Sequence, residues 1–128
     1  MSPDLLADGE SLVNRVRPGH LSRPVTYERD GETVGLNATV GETEFPVERE
    51  AGVLESVETR DYIVRASDLV LGGGPITPER GDRIRETDGG TVYVYEVMAP
   101  GRKAHWRWSG RGRTARRIHT KLVDREEA

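Results

Sequence analysis

The 128-residue chain contains no cysteine, which excludes disulfide scaffolds, thiolate catalysis, iron–sulfur clusters and zinc sites built on sulfur. Aromatics are scarce, with one Phe, two Trp and four Tyr, so the core has to be thin and aliphatic, and such a core suits sheets better than a thick helical bundle. No apolar run approaches the roughly 20 residues needed to cross a bilayer, and the Met1 end lacks the basic-then-apolar pattern of a secretory leader. The expectation is a soluble chain with no membrane partner. Its length fits one domain, residues 1–128, around one core.

Acidic residues are missing from one stretch altogether. Residues 97–123 hold eight cations (Arg102, Lys103, Arg107, Arg111, Arg113, Arg116, Arg117 and Lys121) and no Asp or Glu. Residues 1–96 hold 10 Lys/Arg against 19 Asp/Glu, so the net charge of −3 conceals a division into an acidic body and a basic C-terminal segment. A one-signed field of this length attracts acidic partners. Nucleic acid, the acidic remainder of the same chain and a neighbouring copy all fit, as does a plain solvated basic face.

Ser2, Pro3 and Asp4 form a helix-start signature, a cap, a first-turn proline and a dipole-complementing acid. They predict a helix over 3–16 whose Leu5, Leu6, Leu12, Val13 and Val16 share an arc of about 120°. Pro18-Gly19 ends it. From Arg23 the punctuation changes to short β-favouring segments divided by Gly and Asp-Gly, which predicts a β domain over 23–123. Pro24–Asp30 and Glu32–Val40 flank Asp30-Gly31, a strong hairpin signal because both central residues of a type I′ turn need positive φ. The stretch 42–52 is rich in Glu and reads as a mobile polar loop with at most a short strand, and 53–65 reads as extended. Gly72-Gly73-Gly74-Pro75 reads as a flexible break and lacks the Gly-Lys-Ser/Thr ending of a phosphate loop. A second hairpin joins the strand opening at Gly81-Asp82-Arg83-Ile84 to Thr91–Val97 through Asp88-Gly89-Gly90. Both faces of Thr91–Val97 are largely apolar, which predicts a central strand.

A third hairpin sets 104–109 against 114–123 through a mobile loop at 109–113. Period two places Trp106 and Trp108 on one face with His105 and Arg107 on the other, and gives the last strand a cationic row of Arg117, His119 and Lys121. Two indoles interleaved with cations suit base stacking and phosphate contact, but two Trp at this spacing equally suit a core or interface anchor. The histidines His20, His105 and His119 form no metal-ligand spacing, and no carboxylate lies between Met98 and Val123 to complete a triad. Glu48, Glu50, Glu55, Glu58 and Asp61 read as a solvated face. Nothing calls for a cofactor, a metal or catalysis.

The ordered set Tyr62-Ile63-Val64-Arg65, Asp68-Leu69, Gly81-Asp82-Arg83-Ile84, Tyr93-Val94-Tyr95-Glu96-Val97, Trp106-Arg107-Trp108 and Arg117-Ile118-His119-Thr120-Lys121 resembles the head-tail joining (neck, or tail-attachment) proteins of long-tailed bacteriophages over about residues 55–123. The resemblance implies a non-enzymatic virion protein of the neck, assembled in the host cytoplasm as a homo-oligomeric ring between portal and tail proteins. It closes the filled head or offers a platform to the tail. The fold expected is mainly β, a small barrel or sandwich of antiparallel hairpins with one N-terminal α-helix. A ring made by head-to-tail contacts requires two different complementary patches on each copy, which the acidic body and basic hairpin supply. The candidate partner or subunit interface comprises Leu5, Leu12 and Val16 of the helix with Trp106, Arg107, Trp108, Arg111, Arg113, Arg117, His119 and Lys121 of the hairpin. The competing reading is a barrel that binds nucleic acid without sequence preference through the same basic hairpin.

Overall fold

The computed structural model describes residues 22–48, 52 and 54–128. The expected helix over 3–16, with Leu5, Leu12 and Val16, lies outside the described residues. Nine strands follow in order: β1 (Ser22–Arg29), β2 (Glu32–Glu48), β3 (Leu54–Arg65), β4 (Val70–Leu71), β5 (Gly74–Pro75), β6 (Arg83–Asp88), β7 (Thr91–Val97), β8 (Trp106–Trp108) and β9 (Ala115–Glu127). Seven of them form one antiparallel sheet in the order β3-β2-β1-β6-β7-β9-β8, and β4 and β5 make a separate two-stranded hairpin.

Turn chemistry sets the hairpins. Asp30 and Gly31 both take positive φ, 51° and 84°, so the β1–β2 turn has the backbone twist that suits tightly paired strands. Gly89 and Gly90 connect β6 to β7, with Asp88 opposite Thr91. The supposed break at Gly72–Pro75 is instead the turn and return strand of the β4–β5 hairpin, where Val70 pairs with Pro75 and Leu71 with Gly74.

Period two then selects the core. Val25 and Tyr27 of β1, Leu36 and Ala38 of β2, Tyr62 and Val64 of β3, Ile84 of β6, Val97 of β7 and Ile118 of β9 are all buried in one cluster, joined by Leu69 and Leu71 from the connection after β3. As expected, β7 is central, with β6 on one side and β9 on the other. A bulge between Val94 and Tyr95 sets Tyr95 opposite Leu122 and Val94 opposite Asp124, leaving Val123 as the extra residue; such an insertion sharpens local twist.

The mainly β, antiparallel expectation holds, while the barrel or sandwich requires correction. This is one curled sheet, not two stacked ones, and it is not a fully closed barrel. β3 also pairs with β9 over Arg60–Arg65 and Ala115–Thr120, but beyond Arg60 and Thr120 the two strands diverge. There β3 keeps only β2 as its neighbour, while β9 continues along β7 as far as Glu127.

The polar stretch 42–52 is a second difference. Residues 42–48 continue β2 without interruption and pair with 54–60 of β3, so the chain forms a two-stranded arm there. Alternation explains it. Thr43, Phe45 and Val47 are half-buried on one face, while Glu42, Glu44, Pro46 and Glu48 are exposed on the other. The high Glu content therefore belongs to a single face of a strand, where it is compatible with pairing.

Candidate partner interface

Sheet register assembles the C-terminal hairpin. β8 lies against the first half of β9, with Trp106 opposite Ile118, Arg107 opposite Arg117 and Trp108 opposite Arg116. The two indoles meet edge to face, with centroids 5.1 Å apart. The Arg116 guanidinium covers both of them, at 4.8 Å from the Trp106 ring and 4.9 Å from the Trp108 ring. Arg116 also donates to the Ile76 carbonyl at 3.0 Å. Both Trp are half-buried, and their faces already engage each other and a cation of the same chain, which corresponds to the anchor geometry. Arg116 was not among the candidate residues, although its inward position opposite Trp108 is legible from the alternation.

The cationic row on β9 is divided. His119 and Arg117 turn toward Asp61, the fully buried acid of β3 that lies opposite His119 in the register. The Asp61 carboxylate accepts from Arg117 Nε at 2.6 Å, from His119 Nδ1 at 2.9 Å, from Thr59 Oγ1 at 2.6 Å and from the Thr43 hydroxyl. Burial alone pushes an acid up, but these four donors outweigh it and hold Asp61 at about 2. The Arg117 guanidinium passes close over Gly41, where an added Cβ would stand 3.0 Å from its nitrogen, and reaches the Glu42 carbonyl at 3.2 Å. Phe45 of the arm meets the His119 ring edge to face at 5.0 Å. Arg117 and His119 thus tie the arm to the body, while Lys121 alone of the row is exposed.

The carboxylate absent between Met98 and Val123 is therefore supplied from β3, 58 residues before His119. The result is not a nucleophile–base pair. Both threonine hydroxyls donate to the acid rather than to the imidazole, and the histidine is only 2% exposed, whereas nucleophilic catalysis needs a hydroxyl bonded to the base and open to substrate. Among the described residues no group of three or more His, Asp or Glu is arranged to hold a metal.

Two further buried acids follow the same pattern. Asp82 accepts from Arg29 at 2.9 and 2.8 Å, from the Glu79 backbone N–H at 2.9 Å and from the Tyr27 hydroxyl. Glu86 accepts from Arg23 at 2.7 Å, Arg60 at 2.9 Å and Tyr62 at 2.6 Å. Burial opposes ionisation in both, yet the donors keep both acids below their ordinary range. Burial also raises the two tyrosine hydroxyls, so they act as donors.

The remaining cations point outward. Arg102, Lys103, Arg107, Arg111, Arg113 and Lys121 are exposed, and none has an ion-pair partner among the described residues. Arg111 and Arg113 occupy the β8–β9 turn, which is tied to the far end of β3 by the bond from the Ala66 N–H to the Thr114 carbonyl at 2.8 Å. Arg65, also exposed, closes the paired stretch of β3 at that end.

The comparison that decides the family is a match to the model of the phage head-tail joining protein, which runs over residues 3–127. The chain belongs to that family. Neither the curated proteins nor the solved structures give a match. The joining family is one of structural virion proteins, and membership implies contact with head and tail components of the phage. The match includes the β2 half of the arm and the stretch before β1, both outside the 55–123 range of the resemblance.

Proposed function

We propose that this joining protein assembles as a homo-oligomeric ring in the neck of the virion, between the portal or connector and the tail, after its synthesis in the host cytoplasm. The observation that carries the reading is the family match across 3–127. The fold supports it physically. A curled sheet fixed by three buried, guanidinium-paired carboxylates is a stiff block, and both the arm and the basic turn carry exposed unpaired charge that partners can reach. Candidate contacts are Leu5, Leu12 and Val16 before β1, and Trp106, Arg107, Trp108, Arg111, Arg113 and Lys121 on the hairpin. Arg117 and His119 act from behind by holding the arm.

The test is deletion of the gene in the phage or prophage that carries it, with electron microscopy of lysates. Separate heads and tails, rejoined when the gene is supplied in trans, are expected; normally joined particles from the deletion would overturn the proposal. Non-specific DNA contact by the exposed guanidinium groups has its own signature, an affinity for duplex that falls steeply with salt.

A further inference from the structure

The arm and the basic turn lie at opposite ends of β3. Glu48 pairs with Leu54 where β3 begins, and Ala115 pairs with Arg65 where it finishes. Twelve residues of strand separate the two ends, a span of about 35–40 Å at the usual rise per residue. The exposed face of the arm carries Glu42, Glu44, Glu48 and Glu58, none of which has an ion-pair partner among the described residues. Glu44 stands directly opposite Glu58 in the register, a like-charge pair that destabilises the arm in an isolated copy. At the other end Arg107, Arg111 and Arg113 are exposed and equally unpaired, with Arg107 opposite Arg117. The two sets are complementary. Glu44 and Glu58 lie seven residues along β3 from Arg65, about 23 Å at the usual rise, so they and the Arg111–Arg113 turn do not meet within one copy.

We infer that the Glu face of the arm of one copy binds the Arg111–Arg113 turn of the next. This rests on the ring reading and adds the chemistry of its subunit contact. The contact is heterologous, joining two different patches, so each copy has one free patch to offer on either side and the series closes into a ring when the rotation permits. It accounts for the like charges of Glu44 and Glu58 left facing each other in the arm, and for Arg111 and Arg113, which acquire counter-charges only on assembly. The occupant of the basic turn is thus a second copy of this chain rather than the phosphate backbone of DNA.

Three genes supplied to the deleted phage test this: E44R/E58R, R111E/R113E and the quadruple variant with both patches reversed. All four positions are exposed, so each purified variant is expected to melt like the parent. Either pair of reversals alone is expected to lower the yield of joined particles by roughly 10- to 100-fold, because like charges then face each other at every contact. The quadruple variant, whose contacts are again complementary, is expected to recover most of the loss. If the parent gene restores joining but the quadruple variant does no better than R111E/R113E, the basic turn serves DNA or another protein and the inference is overturned. If the deletion has no joining defect, the ring reading itself fails first. A second readout does not depend on yield. In this cysteine-free chain, oxidation of an E44C/R111C variant in assembled particles should give a ladder of cross-linked multimers, and monomer alone would reject the contact.

Discussion

Replacing Asp61 with Asn removes one charge and almost no volume, so it isolates the polar tie between arm and body. Each carboxylate oxygen serves two donors, Oδ1 taking Thr59 and His119 and Oδ2 taking Arg117 and Thr43. In whichever orientation Asn sits, its NH2 group faces one of those donor pairs, and the Arg117 guanidinium loses its counter-ion. Removing one member of a buried ion pair costs about 3–5 kcal/mol; with half of the hydrogen bonds retained, we expect about 3 kcal/mol at pH 7. For a chain of this size that corresponds to a fall in Tm of roughly 10–15 °C. The pH dependence supplies the sign check. Asp61 is held at about 2 against an ordinary 3.8, so its stabilisation is complete above the ordinary value and disappears as pH falls through about 2. Scanning calorimetry of parent and D61N should therefore show a wide gap at pH 7 that narrows between pH 4 and pH 2, and the gap isolates Asp61 from the other buried acids. A variant melting within about 2 °C of the parent at pH 7, or a gap that persists at pH 2, would refute the view that this carboxylate is the tie.

Phe45→Ala removes the ring that covers His119 and should destabilise by about 2–3 kcal/mol, at the low end for an aromatic because Phe45 is only half-buried; limited proteolysis should then cut within the arm before the rest of the sheet, and uniform cutting would count against a docked arm. Arg116→Leu keeps the apolar stem but abolishes the two ring contacts and the bond to Ile76, for an expected loss of about 2 kcal/mol with a change in Trp fluorescence; an unaltered spectrum would show that the guanidinium does not order the indoles. Gly41→Val places a side chain where the Arg117 guanidinium lies and should cost about 1–3 kcal/mol. In a double-mutant cycle with Arg117→Met most of that cost should vanish, and full additivity would exclude the proposed clash.

Elements with a local sequence signature are legible from the sequence. Asp30-Gly31 fixes the first hairpin because the turn needs two positive φ angles, and the apolar character of both faces of Thr91–Val97 identifies the central strand. Composition alone hides the arm: four Glu in eleven residues look like a loop until Thr43, Phe45 and Val47 are seen to alternate with them. The buried acids were partly accessible by the same means. Asp82, Ile84 and Glu86 occupy one period-two series, so two carboxylates at core-facing positions already implied inward cations. Asp61 offers no such signal, since beyond its own neighbour Thr59 its partners come from β2 and β9, and only the fold brings Arg117 and His119 to it. The row on β9 alternates as expected, yet alternation cannot say that two of its three members hydrogen-bond to an acid 56 and 58 residues away.

β9 pairs with three different strands, β3 and β8 along its first half and β7 along its second, and it follows all of them in the chain. The order of synthesis therefore has a consequence for order of folding. Until β9 is available, β3 and β7 each present an unpaired edge, and the Asp61 carboxylate has neither Arg117 nor His119 to receive its charge. The earlier hairpins can form locally, but curling of the sheet is deferred to a contact of long sequence separation, which is the slow kind. Open edges of that sort invite pairing with other chains, further copies of this one included. The basic turn is encoded in the same hairpin as β9, so its exposed cations reach their final position only as the sheet finishes curling. A single late strand thus couples the closing of the two open edges to the placement of the basic turn.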